Sequence, residues 1–152
     1  MKLDTTDRRI LRETQRLGQV SNVELAKRVG LSESPCLRRV RRLENEGIIK
    51  GYSVTLDHRK LGLNIVSWIQ VNVDQRSEAD SEAFQKAVLQ ESAIIECYAL
   101  TGDCDYLLKV MARDLDEFGE LTMHRILRFP GVKNITSGFV LNAIKEHGVL
   151  PL

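Results

Sequence analysis

The sequence predicts an α+β protein with a winged helix-turn-helix domain followed by a ferredoxin-like β-α-β-β-α-β domain. Three observations lead to this prediction. Apolar residues recur at helical spacing in three short stretches before residue 46, and the third stretch is rich in arginine. From residue 63 onward, alternating strand-like segments appear between two further helical stretches. At 152 residues, the chain is long enough for two small domains.

The basic stretch over residues 32–48 predicts a helix with two distinct faces. Ser32 can N-cap the helix, and Pro35 falls in the first turn, where its missing N–H costs nothing. Gly47 provides a left-handed stop. The predicted inner stripe consists of Cys36, Val40 and Leu43. The predicted outer face consists of Ser34, Arg38, Arg41, Arg42 and Asn45.

Two shorter helices are predicted before the basic helix. Asp4 can cap the first, which ends at Gly18. Its inner face consists of Ile10, Leu11, Thr14 and Leu17. An S-x-x-E capping box over residues 21–24 opens the second, which ends at Gly30. Its apolar residues are Val23, Leu25, Ala26 and Val29. A short helix, a turn containing glycine and a basic helix form the helix-turn-helix pattern.

The basic helix predicts contact with double-stranded DNA, because arginines on its outer face can reach phosphates and base edges while the apolar stripe packs inward. The candidate DNA-contacting residues are Ser32, Ser34, Arg38, Arg39, Arg41 and Arg42. Taken alone, the helix is equally compatible with a solvated charged surface supported by an i,i+4 pair between Arg42 and Glu46. The two preceding helices favour the DNA-binding interpretation.

The boundary between the domains is predicted near residue 60. Residues 48–57 are β-branched and alternating, which predicts a strand that flanks the helices. Residues 57–62 predict a short polar helical turn closed by Gly62. We therefore predict a helix-turn-helix domain over 1–50, a strand and hinge linker over 51–62, and a second domain over 63–152.

The second domain is predicted to have strands at 63–74, 94–100, 106–111 and 132–141, with helices over 81–91 and after Asp114. Asp114 and Glu117 form a box-like capping pair. The residues predicted to face the core are Ile65, Ser67, Ile69, Val71, Val73, Ala83, Phe84, Ala87, Val88, Leu115, Phe118, Leu121, Thr122 and Leu127. The second sheet face has no cover within the chain and carries Val66, Trp68 and Val140. Such a face predicts a two-fold homodimer.

The composition and the distribution of charge limit the kinds of protein that this chain can be. Apolar residues make up 43% and charged residues 28%, which is typical of a soluble globular protein. No apolar run approaches the ~20 residues of a membrane span, and residues 1–4 do not resemble a signal peptide, so a cytoplasmic protein is expected. Residues 1–50 hold 12 Lys+Arg against 7 Asp+Glu, whereas the remainder holds 10 against 14. Only the first part is therefore predicted to meet a polyanion.

The sequence shows no motif typical of catalysis or metal binding. The histidines, His58, His124 and His147, have no motif-like spacing to an acid or a nucleophile. The cysteines, Cys36, Cys97 and Cys104, lack C-x-x-C spacing, and core packing is expected for the first of them. We predict that the chain is not an enzyme and needs no metal or cofactor.

The chain resembles the Lrp/AsnC (feast/famine) family of transcription factors over essentially its whole length. The motifs that support this lie at residues 22–32, 35–44 and 47–49, in the turn T-G-D-C-D-Y-L-L over 101–108, and at Pro130-Gly-Val132 with Thr136-Ser137. The resemblance implies a DNA-binding N-terminal domain and a C-terminal RAM domain that dimerises and assembles further, often into octamers. It also implies a small amino-acid effector held between dimers near the turn after the second strand of that domain.

The chemistry of residues 101–105 fits such an effector. Asp103 and Asp105 can accept its ammonium, Gly102 allows close backbone approach, and free N–H groups of the turn can hold its carboxylate. Thr136 and Ser137 are candidates to supply hydroxyls from the same or a neighbouring subunit. Acidic turns between strands also occur without any ligand, and the turn alone favours that simpler interpretation.

The predicted function is a sequence-specific regulator of amino-acid metabolism whose assembly responds to a small amino acid. An effector-independent DNA-architectural protein would share the basic helix and the oligomer, so this alternative stays open. A metal- or redox-sensing repressor that uses the cysteines is a further alternative.

Overall fold

The computed structural model describes residues 2–74, 77–146 and 148–152. It contains two compact units, Met1–Leu56 with Lys145–Leu152, and Asp57–Ile144. Residues 145–152, which the sequence analysis placed with the second domain, lie with the first unit. Long-range contacts account for this: the Leu150 N–H donates to Gln15 Oε1 at 2.7 Å, and Leu152 packs against the apolar core of the helices. None of the described helices has the length and apolar character needed to cross a membrane.

The first unit contains three helices: α1 (Thr5–Leu17), α2 (Asn22–Val29) and α3 (Glu33–Asn45). Their buried core consists of Ile10, Leu11, Leu25, Ala26, Val29, Cys36 and Leu43. These residues fall on the inner stripes that the sequence predicts. Thr14, Leu17 and Val40 are only half-buried, and Val23 is exposed. The helix-turn-helix architecture is confirmed.

The ends of these helices follow the predicted caps with two differences. Asp4 and Asp7 form a complete capping box on α1. Ser21 Oγ accepts from the Glu24 N–H at 3.2 Å, but the Glu24 carboxylate pairs with Arg28 instead of returning to the cap, so only half of that box forms. Ser32 has the extended backbone of an N-cap and makes no side-chain cap bond.

The predicted strand over residues 48–57 does not form. Residues 50–56 are irregular and exposed, and Val54 is 85% exposed. A strand needs a neighbour to complete its hydrogen-bond ladder, and the part of the chain that the structure describes offers none to this segment. The short turn that follows is present: Asp57 Oδ1 accepts the N–H groups of Arg59 and Lys60, and Gly62 closes it with φ 82°.

The second unit has the predicted ferredoxin-like order. Its elements are β1 (Ile65–Val73), α4 (Glu78–Gln90), β2 (Ile94–Ala99), β3 (Tyr106–Ala112), α5 (Leu115–Glu120) and β4 (Val132–Phe139). The strand order is β2-β3-β1-β4, and every pairing is antiparallel. A π-helical turn (Leu121–Arg125) and a 3-10 turn (Ile126–Arg128) continue α5.

One sheet face is covered by α4, α5 and the turns after α5. The fully buried side chains between the layers are Ile69, Val71, Phe84, Leu108, Val110, Leu121 and Ile126. Helix α4 begins three residues earlier than predicted because Ser77 and Asp80 form a capping box.

Some of the predicted inward positions are not buried. Ala83 is exposed, Leu115 is 63% exposed and Leu127 is 40% exposed. The π-helical turn over Leu121–Arg125 changes the rotation per residue, so a projection at 100° per residue no longer places Leu127 correctly.

Candidate functional site

The outer face of α3 carries a shallow groove whose lining includes three arginines. Its lining residues are Ser34, Leu37, Arg38, Arg41, Arg42, Asn45 and Glu46. These positions recur every three or four residues, so they share one side of the helix. Within the described residues, no carboxylate forms an ion pair with Arg38 or Arg41. Both guanidinium groups are therefore available to phosphates or to base edges.

Leu37 is a groove residue that the sequence analysis missed. It is 37% exposed and lies one helical turn after Ser34 and before Arg41. An apolar side chain at such a position can contact the methyl group of thymine. Its spacing of three residues from Ser34 and four from Arg41 places it on the outer face, and this spacing is the signal in the sequence that could have identified it.

Arg39 lies apart from this groove, although it was predicted with the DNA-contacting residues. Its Nη1 donates to Asp4 Oδ2 at 2.6 Å and to Asp7 Oδ1 at 2.8 Å. The hydrogen bond that Arg39 donates to Asp4, and after it the one to Asp7, raises the pKa of the Arg39 guanidinium. Arg39 is therefore held on α1.

Arg42 has an intermediate position. It lines the groove, and its Nη2 forms an ion pair with Asp7 Oδ2 at 2.7 Å, so Asp7 takes the place of the expected i,i+4 partner Glu46. Ser32 is exposed at the start of α3. Of the six predicted residues, the structure brings Ser34, Arg38, Arg41 and Arg42 together and leaves Ser32 and Arg39 outside the groove.

The turn between β2 and β3 gives its two acidic residues different environments. The Asp105 N–H donates to Val71 O at 3.1 Å, and Asp105 Oδ2 accepts from the Val73 N–H at 2.8 Å. Asp105 therefore fastens the turn to the end of β1. Asp103 lies at the exposed tip, next to Gly102, whose φ of +118° is rarely adopted by residues with a side chain.

The two hydroxyl residues of β4 do not converge on this turn. Thr136 pairs with Gln70 and Ser137 pairs with Ile69, so the two side chains project from opposite faces of the sheet. Thr136 lies on the face without helices, and Ser137 lies on the helix-covered face. Strands β3 and β4 flank β1, so about 10 Å, or two strand spacings, separates them.

The open sheet face carries a polar cluster around the single tryptophan. Lys109 Nζ lies 5.7 Å from the centre of the Trp68 ring and 3.2 Å from Glu96 Oε1. The Tyr98 hydroxyl donates to Glu96 Oε2 at 2.6 Å, and this hydrogen bond raises the pKa of Tyr98. Val66, expected among the exposed residues, is buried, whereas Gln70 on the same face of β1 is exposed.

The cysteines do not form a cluster that points to metal binding. Cys36 is buried in the helical core, and burial raises the pKa of its thiol, whereas Cys97 is exposed. In the described ranges, no three His, Cys, Asp or Glu side chains are grouped closely enough to hold a metal ion.

A helix-turn-helix with a basic groove, followed by a separate ferredoxin-like domain, defines the class of two-domain transcriptional regulators. Residues 3–50 match a winged helix-turn-helix DNA-binding model, and residues 67–150 match the Lrp/AsnC ligand binding domain. The chain belongs to the Lrp/AsnC family.

Individual relatives support the same membership. The chain is 40% identical over 148 residues to the leucine-responsive regulatory protein of Escherichia coli K12, covering 97% of this chain and 90% of that protein. It is similar to a transcriptional regulator of Neisseria meningitidis solved as an L-Met complex, with a TM-score of 0.94, 37% identity and coverage of 99% and 97%. An AsnC family regulator from Agrobacterium tumefaciens gives a TM-score of 0.91 at 30% identity, with coverage of 98% and 97%.

Proposed function

We propose that this chain is a sequence-specific DNA-binding regulator of amino-acid metabolism whose DNA occupancy responds to a small amino acid. The observation that carries the proposal is the presence, in one chain, of an arginine-lined groove on a helix-turn-helix and of an Lrp/AsnC ligand-binding domain. The L-Met bound to the Neisseria meningitidis relative supports an amino acid as the ligand class.

In this proposal the groove on α3 enters the major groove of DNA. Arg38 and Arg41 contact phosphates or guanine edges, and Ser34 lies at the helix N-terminus, where phosphates bind favourably. Arg42 lies at the edge of the contact, and Ser32 contributes through its exposed position at the helix start. The exposure of these side chains supports the assignment.

The effector site is proposed at the turn over residues 101–105. Asp103 pairs with the ammonium, backbone N–H groups near Gly102 hold the carboxylate, and Asp105 keeps the turn in place. Thr136 offers a hydroxyl on the open sheet face, from the same or a neighbouring copy. Ser137 is left out of this site because it projects from the opposite face.

The assembly is proposed to be a two-fold dimer that forms a larger closed oligomer of eight chains. Its proposed location is the cytoplasm. A ligand that contacts two dimers binds one assembly state better than another, and only that difference in affinity can change DNA occupancy. The apolar and aromatic residues of the open sheet face support the dimer.

The DNA interface is tested with the double variant Arg38→Ala/Arg41→Ala on a duplex selected by the wild-type chain from genomic fragments. We expect weaker binding and a slope of log affinity against log salt that is shallower by about two, since each lost phosphate contact removes about 0.9. Arg113→Ala/Arg128→Ala removes the same charge from the second unit and is the matched control. Unchanged affinity and slope in the first double variant would show that α3 does not contact DNA.

A further inference from the structure

A buried carboxylate joins α1 to the basic helix. Asp7 is 1% exposed and receives three interactions: Arg39 Nη1 at 2.8 Å, Arg42 Nη2 at 2.7 Å and the Asp4 N–H at 3.1 Å. Asp4 Oδ2 adds a second bond to Arg39 at 2.6 Å. An ionised carboxylate without such partners is rarely buried, so these bonds account for its position.

The same bonds divide the arginines of α3 into two pairs. Arg38 and Arg41 face the groove, and no carboxylate of the described residues forms an ion pair with them. Arg39 is tied to Asp4 and Asp7, and Arg42 is tied to Asp7 alone. Two of the four positive charges are thereby restrained on the protein.

This restraint has a consequence for DNA recognition. Contacts to phosphate carry no sequence information, and each one adds affinity for any duplex. If all four arginines were free, the chain would bind random DNA more tightly without binding its target more selectively.

We propose that Asp7, assisted by Asp4, is a positioning residue that limits which arginines of α3 reach phosphate and so sets the ratio of specific to non-specific DNA binding. This inference rests on the proposed function, since it assumes that α3 contacts DNA. Asp7 itself does not touch DNA; it acts through Arg39 and Arg42.

The test compares Asp7→Asn and Asp4→Asn/Asp7→Asn with the wild type. Asparagine keeps the side-chain shape at both positions and is as good an N-cap as aspartate at position 4, so α1 retains its start. Affinity is measured for the selected duplex and for a random duplex of the same length, between 50 and 200 mM KCl. The first variant frees Arg42, and the second also frees Arg39.

We expect the salt slope on random DNA to steepen by about 0.9 for Asp7→Asn and by about twice that for the double variant. Each step corresponds to an extra loss of affinity of about 3.5-fold over this salt range. At 50 mM KCl both variants bind random DNA more tightly than the wild type, and the selected-to-random ratio falls. If Asp7 has a purely structural role, thermal stability and DNA affinity fall together, while the salt slope on random DNA and the selected-to-random affinity ratio stay unchanged. That result overturns the proposal.

The matched control is Glu13→Gln. It removes one negative charge from the same helix, and Glu13 approaches Arg28 at 4.0 Å. Arg28 keeps its bond to Glu24 at 2.7 Å, so no arginine is released. The control is expected to leave the salt slope unchanged; a slope that steepens as in Asp7→Asn means that net charge, not positioning, is responsible.

Arg39→Gln keeps the proposal testable if the aspartate variants do not fold. A restrained Arg39 contributes no phosphate contact, so Arg39→Gln retains the wild-type slope, whereas Arg41→Gln makes it shallower by about 0.9. If Arg39→Gln makes the salt slope as shallow as Arg41→Gln does, the proposal is overturned. Failure of the proposed function is distinguishable, since neither Arg41→Gln nor Arg38→Ala/Arg41→Ala would then change the slope.

Discussion

Asp4 shows how a single side chain serves the start of α1 and a contact with α3. Its Oδ1 accepts from the Asp7 N–H at 2.7 Å, and its Oδ2 accepts from Arg39 at 2.6 Å. The Asp7 N–H, and after it the Arg39 guanidinium, hold the pKa of the Asp4 carboxyl below its ordinary value of 3.8. The ionised form is therefore the one that stabilises the folded helical unit.

A depressed pKa in the folded state fixes the direction of the pH dependence. The stabilisation by Asp4 is present in full above pH 3.8 and is lost as the pH falls through the lower pKa of the folded protein. We expect Asp4→Ala to lower the melting temperature at pH 6, and the difference from wild type to shrink as the pH approaches 3. Thermal unfolding followed by far-UV circular dichroism measures this.

Ser21→Ala is the matched control for that measurement. Ser21 caps α2 through a hydroxyl that does not titrate in this range, so its effect on the melting temperature should be the same at pH 6 and at pH 3. A difference for Asp4→Ala that does not change with pH would mean that the carboxylate charge is unimportant.

The environments of single arginines could not be predicted from the sequence. Helical spacing placed Arg38, Arg41 and Arg42 on the outer face, and all three line the groove. The partner of Arg39 and Arg42, however, is Asp7, which lies on another helix 32 residues before Arg39. A projection of one helix contains no information about side chains that approach from another element.

At the scale of elements, the layer of α4 on the sheet depends on one aromatic side chain. Phe84 is fully buried, and its ring centre lies 4.5 Å from that of Tyr106 and 6.3 Å from that of Phe129. We expect Phe84→Ala to reduce the free energy of unfolding of this unit by about 3–5 kcal/mol. Denaturant unfolding followed by the fluorescence of Trp68, the only tryptophan, reports on this unit.

Leu89→Ala is the control on the same helix. Leu89 is 87% exposed, so its truncation should change the stability by no more than about 0.5 kcal/mol. Comparable losses in the two variants would contradict the packing of α4 described above.

The elements that the sequence predicted best are those with strong periodicity and local caps. The three helices of the first unit and the four strands of the sheet lie within a few residues of their expected bounds. The Ser77 cap was missed, so α4 was started late. The prediction of a strand over residues 48–57 was wrong. Alternating β-branched residues indicate that a segment prefers the extended conformation, but they do not show that a neighbouring strand is present to pair with it.

At the scale of the whole molecule, the proposed oligomer depends on the open sheet face around Trp68. We expect light scattering to give a mass that is a multiple of 17.3 kDa, with eight chains in the largest closed form. Trp68→Glu places a charge at the centre of this face and should reduce the mass to that of one chain. Circular dichroism confirms whether the variant is folded.

Leu115→Glu introduces the same charge on an exposed position of the helical layer and should leave the mass unchanged. A wild-type chain that is monomeric at micromolar concentration would exclude the proposed assembly. A folded Trp68→Glu variant with the wild-type mass would place the dimer interface elsewhere.

The site proposed at residues 101–105 follows from a sequence motif, whereas the contacts of its side chains do not. The turn and the exposed Asp103 lie where the motif places them. The use of Asp105 to hold the end of β1, and the opposite directions of Thr136 and Ser137, depend on strand pairing. That pairing joins residues far apart in the chain and is not visible in a local motif.

The most direct test of an amino-acid-responsive regulator is the affinity of the wild-type chain for its selected duplex, measured with and without each proteinogenic amino acid. We expect at least one small amino acid to change the dissociation constant by about 5- to 150-fold, the usual range of such coupling. Asp103→Ala should bind the bare duplex as the wild type does and lose that response. If no amino acid changes either DNA affinity or oligomer mass, the chain is an effector-independent DNA-binding protein and the proposed function is wrong.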